Sequence, residues 1–254
     1  MGKFSGILIC SDFDGTLAYR AEIPEANIEA IRYFQQNGGL FTVISGRSAS
    51  FFNKYSEQIR FDRYIGCVNG TMIYDIENGN IVKQHPISQP QLFRDFTLNN
   101  YSNWENLRDV MIFGKKSLTQ IPASSPDFDD RLRWAMSEPV LKTLFHGNVP
   151  FTEEEMAWVR QSLGDEFGVW RSWALGIEMQ DVSCDKGIAA RHIARLLGAK
   201  KLICVGDYEN DIPLLRAADV SYVAEDHHPS LDPIAHHIAA PCQVGTIASV
   251  IESL

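Results

Sequence analysis

The chain has 254 residues, of which 45% are hydrophobic and 22% charged, as in ordinary globular proteins, so a disordered or fibrous class is excluded. Its formal net charge is −9 without a compensating basic patch, so neither nucleic acid nor an anionic membrane is an expected partner. No apolar run approaches the roughly 20 residues that span a bilayer, and the N-terminus lacks a signal-peptide pattern, so we expect a cytoplasmic protein. Five scattered cysteines without a CxxC pair predict reduced thiols.

The first part of the chain alternates between two kinds of segment. Strand-like apolar runs at 7–10, 40–45 and 64–68 are separated by helix-like segments at 24–39 and 48–59. Such alternation is typical of a parallel sheet covered by helices. We therefore predict an α/β fold for this part.

A different module follows a hairpin signal, ENGN, at 77–80. Inside the module the predicted elements are a helix near 88–102, strands near 109–113 and 140–145, a helix near 152–163 and two strands across 168–180. The acidic run 126–130 is expected to form a solvated turn. From residue 185 the α/β alternation returns, so we predict a core domain at 1–84 and 182–254 that is interrupted by an inserted α+β domain at 85–181.

Carboxylates lie where predicted strands end. Asp12 and Asp14 follow the first strand, Asp207 follows the strand LICVG, and Asp211 lies in the next helix. Because neighbouring parallel strands end at the same sheet edge, these groups are expected to meet. Clustered carboxylates repel one another unless a cation lies between them, and an all-oxygen site suits magnesium. The pattern therefore predicts a divalent metal site.

Two further residues suit the binding of an anion. Ser45 offers a hydroxyl beside the backbone N–H groups of a glycine-containing turn, at a predicted helix start. Lys186, also at a predicted helix start, offers an ammonium group. With a metal ion, these groups would neutralise a phosphoryl group that the acidic protein otherwise repels.

Four short motifs connect these residues to a known superfamily. They occur in this order: DFDGTL (12–17), ISGR with Ser45, Lys186, and GDYEND (206–211). In these motifs the chain resembles the haloacid dehalogenase-like (HAD-like) hydrolases, and within them the Cof-type phosphatases. The resemblance implies a Rossmann-like core with a parallel sheet, and a C2-type cap, inserted between Ser45 and Lys186, that closes over the core and selects the substrate.

The resemblance also implies a role for each motif residue. Asp12 would attack phosphorus, and Asp14 would protonate the leaving oxygen and then activate water. Mg²⁺ would be held by Asp12, the Asp14 carbonyl and Asp207. Asp211 would orient Lys186 or a metal-bound water. The residues implied to hold phosphate oxygens are Ser45, Gly46, Lys186 and Asn210.

The leading hypothesis is a Mg²⁺-dependent phosphatase that forms an aspartyl phosphate and acts on a small metabolite, such as a sugar phosphate, a nucleotide or a cofactor phosphate. One alternative is a phosphomutase or phosphotransferase of the phosphomannomutase type, and another is a non-catalytic module that binds a metabolite or a protein. The segment 223–233 departs from the AMGNA-like stretch of Cof-type chains, so no site residue is assigned there. The sequence specifies no oligomeric state.

Overall fold

The computed structural model describes residues 2–115 and 117–254. Two compact units are present: the core unit, which comprises the chain up to Lys83 together with Asp185–Leu254, and the cap unit, Gln84–Cys184. For the domain boundaries, our proposal remains the predicted insertion at 85–181.

The described residues form thirteen strands and seven α-helices. The strands are β1 (Ile7–Ser11), β2 (Leu40–Val43), β3 (Tyr64–Cys67), β4 (Met72–Asp75), β5 (Asn80–Gln84), β6 (Leu107–Gly114), β7 (Leu118–Pro122), β8 (Val140–Gly147), β9 (Phe167–Trp173), β10 (Gly176–Asp181), β11 (Lys201–Gly206), β12 (Val220–Ala224) and β13 (His237–Ala239). The helices are α1 (Glu25–Gln36), α2 (Pro90–Asn100), α3 (Phe128–Ala135), α4 (Glu153–Leu163), α5 (Lys186–Leu196), α6 (Ile212–Ala217) and α7 (Thr246–Glu252). Among the described residues, no helix is both long and apolar enough to cross a membrane.

The main sheet of the core unit has the strand order β13-β12-β11-β1-β2, and all of its strand pairs are parallel. The inner strand β1 is buried along Leu8–Ser11, which agrees with a strand covered on both faces. In α1 the predicted apolar face is buried and includes Ile31 and Phe34. The predicted parallel α/β sheet is therefore confirmed.

The prediction for 64–68 was wrong in one respect. Strand β3 exists, but it pairs antiparallel with β4 in a separate sheet of order β3-β4-β5. It is linked to the main sheet by a parallel bridge between Ile44 and Gly66, and the Thr42 hydroxyl of β2 donates to the Tyr64 carbonyl of β3. The tight turn between β3 and β4 causes the difference, because Val68, Asn69 and Gly70 all have positive φ there and the Thr71 N–H donates to the Val68 carbonyl at 3.3 Å.

The cap unit contains one antiparallel sheet of order β7-β6-β8-β10-β9. Its apolar core joins sheet residues such as Val110 and Phe145 to helix residues such as Phe93 and Val159.

Within the cap unit, β7 and α3 had not been predicted. The acidic run 126–130 begins α3 instead of forming a turn, because Phe128 and Leu132 are buried and Asp129 and Asp130 lie in the first helical turn, where negative charge is favourable.

Candidate active site

The ends of β1 and β11 bring two of the predicted carboxylates together. These strands are parallel neighbours, with Ser11 opposite Val205, so Asp12 and Asp207 both follow the same sheet edge. The Asp12 N–H donates to the Val205 carbonyl at 2.8 Å, which continues the strand pairing up to the site. Asp12 is buried, with 6% of its surface exposed.

Lys186 connects two of the carboxylates. Its Nζ donates to Asp12 Oδ1 and to Asp211 Oδ1, each at 2.6 Å, and the lysine is fully buried. Lys186 is the first residue of α5, which Asp185 caps by accepting the Ile188 N–H. The start of this helix therefore fixes the ammonium in the site.

Asp211 holds the turn after β11 as well as the lysine. Its Oδ2 accepts the N–H of Asp207 at 3.0 Å and that of Tyr208 at 3.3 Å. A Cβ at Gly206 would lie 2.6 Å from the Asp211 Cβ, so only glycine allows this approach. Asp211 thus uses both oxygens within the protein.

Thr16 and Gly15 shape the surroundings of Asp207. The Thr16 hydroxyl donates to Asp207 Oδ1 at 2.8 Å. Gly15 has a φ of +88°, and a Cβ at this position would lie 2.3 Å from Asp207 Oδ2. Our prediction gave neither residue a role, although both lie inside the DFDGTL motif, and this position was the signal that could have identified them.

The cluster perturbs the pKa values of its members. Burial raises the pKa of Asp12 to about 7, although the neighbouring Lys186 ammonium acts in the opposite direction. Burial, together with the charges of Asp12 and Asp211, raises the pKa of Asp207 well above its usual range. Burial alone would lower the pKa of Lys186, but the same two carboxylates outweigh it and raise that pKa. Negative charge is therefore in excess here.

The donor atoms fit a hard divalent cation. Asp12, Asp207 and Asp211 each offer a carboxylate oxygen, and these oxygens all lie within 4.8 Å of one another. The hydrogen bonds from Lys186 to Asp12 and from Thr16 to Asp207 both fall on Oδ1, whereas both oxygens of Asp211 are engaged. Carboxylate oxygens are the donors that Mg²⁺ prefers. Asp12 and Asp207 are thus better placed than Asp211 to hold the ion.

Ser45 lies at the same sheet edge, where β2 ends. The Ile44 N–H donates to the Ser11 carbonyl at 2.9 Å, and Ser45 is buried. The Ser45 carbonyl accepts the Asn69 N–H at 2.8 Å, in a segment where Val68, Asn69 and Gly70 all have positive φ.

Two other predicted phosphate ligands lie beside these groups. Gly46 follows Ser45 directly, and Asn210 is buried in the turn that contains Asp211. The structure therefore gathers Asp12, Lys186, Asp207 and Asp211 into one contact network, while Asn210 directly precedes Asp211 in the chain and Gly46 directly follows Ser45.

Asp14 does not share this network. Its two carboxylate oxygens accept hydrogen bonds from Arg47, with Nε to Oδ2 at 2.8 Å and Nη2 to Oδ1 at 2.9 Å. About half of each side chain is exposed, with 48% for Arg47 and 42% for Asp14. The hydrogen bond to Asp14 raises the pKa of Arg47. Our prediction did not identify Arg47, although it is the last residue of the ISGR motif.

The segment 223–233 supports the site through its backbone. The His228 N–H donates to the Asp207 carbonyl at 2.8 Å, and the His228 ring packs against Tyr208 with 4.8 Å between centroids. The departure from the family pattern thus lies next to a predicted metal ligand.

The whole chain matches a known family. The family model described as haloacid dehalogenase-like hydrolase covers residues 9–251. The chain therefore belongs to the haloacid dehalogenase-like hydrolases, and the predicted superfamily and hydrolase class are confirmed.

Individual relatives are similar over nearly their full length. A Streptococcus pyogenes serotype M6 protein, provisionally named a phosphatase, is 21% identical and is matched over 91% of each chain. A haloacid dehalogenase-like hydrolase from B. subtilis superposes with a TM-score of 0.78 at 18% identity, over 97% of this chain and 99% of that one. The HAD subclass IIB sugar phosphatase BT4131 gives 0.79 at 19% identity, over 97% and 98%. These likenesses confirm the predicted fold class, an α/β core with an inserted cap.

Proposed function

We propose that this protein is a Mg²⁺-dependent phosphatase that cleaves a small phosphorylated metabolite through an aspartyl phosphate on Asp12. One observation carries the proposal: a buried carboxylate, Asp12, contacts a buried lysine and lies in a cluster with Asp207 and Asp211, whose carboxylate oxygens are all within 4.8 Å of one another. A structural salt bridge would not require the additional carboxylates around it.

In the first step, a carboxylate oxygen of Asp12 attacks phosphorus and forms an O–P bond. The bond between phosphorus and the leaving oxygen breaks, and its electron pair stays on that oxygen. Asp14 supplies the proton that turns this oxygen into a hydroxyl, so the first product is an alcohol. Lys186, which already touches Asp12, lies where it can neutralise charge on the transferring group.

In the second step, the oxygen of a water molecule attacks the same phosphorus. The Asp14 carboxylate, left by the first proton transfer, takes a proton from this water. The bond between Asp12 and phosphorus breaks, its electron pair returns to the Asp12 carboxylate, and inorganic phosphate is released. Both residues are thereby restored.

Asp12 and Asp207 would hold the Mg²⁺ ion, together with the Asp14 carbonyl. The ion would supply positive charge to offset the excess of carboxylates and to stabilise the phosphoryl oxygens. Ser45, Gly46 and Asn210 would bind the phosphoryl oxygens through hydroxyl, backbone and amide donors.

For the substrate, we propose a sugar phosphate first, then a nucleotide or a cofactor phosphate, with the cap unit selecting among them. The name of one structural relative, a sugar phosphatase, supports this order. The net charge of −9 argues against a nucleic acid substrate.

The test is hydrolysis of p-nitrophenyl phosphate with Mg²⁺ and with EDTA, using wild type, Asp12→Asn and Asp165→Asn. Asp165 is an exposed aspartate and serves as the matched control. We expect Mg²⁺-dependent release of phosphate by wild type and Asp165→Asn, and none by Asp12→Asn. Wild-type activity in Asp12→Asn would refute the mechanism. Transfer of phosphate within a sugar phosphate, stimulated by a bisphosphate and without net release, would favour a mutase.

A further inference from the structure

Asp14 is held by a contact that the proposed mechanism does not use. Both of its carboxylate oxygens bind one guanidinium, that of Arg47, in a bidentate arrangement. With 42% of the Asp14 side chain exposed, no burial fixes its orientation. The orientation of this carboxylate therefore depends on Arg47.

Both the backbone and the side chain of Arg47 are themselves held in place. Its backbone N–H donates to Ser45 Oγ at 3.3 Å, and its carbonyl accepts the Val68 N–H at 2.9 Å. Its guanidinium lies over the Phe51 ring, 4.7 Å from the centroid. The backbone of Arg47 is thus bound to Ser45, while its guanidinium lies on the Phe51 ring and binds Asp14.

The ring beneath Arg47 belongs to a packed aromatic cluster. Phe51 contacts Phe13 edge-on at 5.3 Å and also packs against Phe52 and Tyr55. Phe13 lies between Asp12 and Asp14 in the chain, so the residue that separates the two aspartates anchors the ring that supports Arg47. Asp14 is thus bound by Arg47, Arg47 lies over Phe51, and Phe51 packs against Phe13, which is the chain neighbour of Asp14.

We propose that Arg47 is the positioning residue for Asp14, and that it orients this carboxyl for proton transfer to the leaving oxygen. The inference rests on the proposed function, because it assigns a geometric role in the first step. The proton occupies a lone pair of one Asp14 oxygen that Arg47 does not use, and it passes to the leaving oxygen while the phosphorus–oxygen bond breaks, so misorientation slows that transfer. Arg47 acts only by orienting Asp14. The attack of the Asp12 oxygen on phosphorus does not depend on Arg47.

The leaving group reveals this role. Benzyl phosphate releases an alkoxide that needs a proton, whereas p-nitrophenyl phosphate releases a stable phenolate that does not. The value of kcat/KM reports the steps up to the first irreversible one, which include cleavage of the ester. Loss of Arg47 should therefore reduce kcat/KM for benzyl phosphate far more than for p-nitrophenyl phosphate.

The variants are Arg47→Gln, Arg47→Lys and Phe51→Leu, each assayed with both esters and Mg²⁺. For Arg47→Gln we expect kcat/KM with benzyl phosphate to fall roughly 10- to 100-fold, with little change for p-nitrophenyl phosphate. Arg47→Lys should recover only part of the loss, because an ammonium cannot bridge both oxygens. Phe51→Leu should show a smaller loss with the same preference.

Lys54 provides the matched control. Its Nζ also lies over the Phe51 ring, at 4.5 Å, but the structure shows no contact between it and Asp14. Lys54→Met should leave the ratio of the two substrates unchanged. In an Asp14→Asn background, Arg47→Gln should cause no further loss with benzyl phosphate, since residues that act as a unit are not additive.

Several outcomes would overturn the inference. Equal losses for both esters in Arg47→Gln would assign Arg47 to phosphate binding or to folding, and unchanged rates would show that Asp14 needs no such support. In both cases the proposed phosphatase function would stand. A wild type that is inactive toward both esters would overturn the proposed function and this inference with it.

Discussion

The core unit and the cap unit both bury charged side chains, but they balance the charges differently. In the core unit, Asp12, Asp207 and Asp211 gather around a single buried cation, Lys186. In the cap unit, a fully buried lysine, Lys142, pairs with one buried glutamate, and a serine hydroxyl also donates to that glutamate.

Burying a charge is costly unless a partner compensates for it. In the cap pair, each buried charge contacts one of opposite sign. The core cluster has more carboxylates than cations, and burial raises the pKa of Asp12 and that of Asp207. The excess of carboxylates in the core cluster therefore supports the proposed Mg²⁺ site.

The largest effect is expected when the single cation of the core cluster is removed. Lys186→Met leaves Asp12 and Asp211 buried without their shared counter-charge. We expect the free energy of unfolding to fall by about 3–5 kcal/mol without Mg²⁺, because an uncompensated buried charge remains. Phosphatase activity should be lost. Calorimetry and the p-nitrophenyl phosphate assay measure the two effects.

Lys201→Met is the matched control for that variant. Lys201 also begins an element of the core unit, but it is exposed and lies at the opposite end of β11 from Asp207. Its replacement should change neither stability nor activity measurably. Full activity in Lys186→Met would show that the core cluster is structural, like the cap pair.

Breaking the cap pair should affect stability in a way that a second substitution repairs. Lys142→Met removes the buried ammonium that contacts the Glu178 carboxylate, and should destabilise the cap by about 3–5 kcal/mol. The double variant Lys142→Met/Glu178→Leu removes both charges and should regain most of this stability. Tryptophan fluorescence during urea unfolding reports on the cap unit, because all five tryptophans lie between residues 84 and 184.

Failure of the double variant to recover would mean that the pair contributes more than mutual neutralisation. The same logic predicts no repair in the core unit. There, Lys186→Met/Asp211→Leu should remain inactive even if it folds, since the remaining carboxylates would have lost the group that contacts Asp12.

A third difference concerns the response to Mg²⁺. An ion that binds only the folded protein adds about 2.7 kcal/mol of stability at a concentration of 100 Kd. We expect such a rise in the wild type, seen as a higher calorimetric Tm, and none in Asp207→Asn. The double cap variant should keep the full response, and an equal response in Asp207→Asn would place the ion elsewhere.

The carboxylate cluster could be predicted from the sequence because it depends on topology alone. Apolar runs that end in Asp12 and Asp207, in a parallel sheet, must bring these groups to one edge. Lys186 was identifiable because it opens a helix in the same half of the chain as Asp207.

Other contacts depend on how the loops turn in space, which the sequence pattern does not specify. The contact between Arg47 and Asp14 requires the loop after Ser45 to turn back toward β1, and the hydrogen bond from Thr16 to Asp207 joins residues 191 positions apart. Strand β3 resembled a central strand, but the hairpin that follows it determines its pairing. The helix that begins at Phe128 was obscured by acidic residues that favour both turns and helix starts.

The smallest expected effect concerns the protonation of a buried carboxylate in the cap unit and its contribution to stability. Burial would raise the pKa of Asp181 in the cap unit, but hydrogen bonds from Ser183 and Ser88 outweigh it and lower that pKa to about 2. Since the folded pKa lies below the unfolded value of 3.8, these bonds stabilise the cap fully above about pH 4, by about 2 kcal/mol, and lose this contribution as the pH falls toward 2. Asp181→Asn should therefore be less stable than wild type at pH 6, and the difference, measured by tryptophan fluorescence in urea, should shrink on acidification. A constant difference would show that Asp181 does not change its charge within this range.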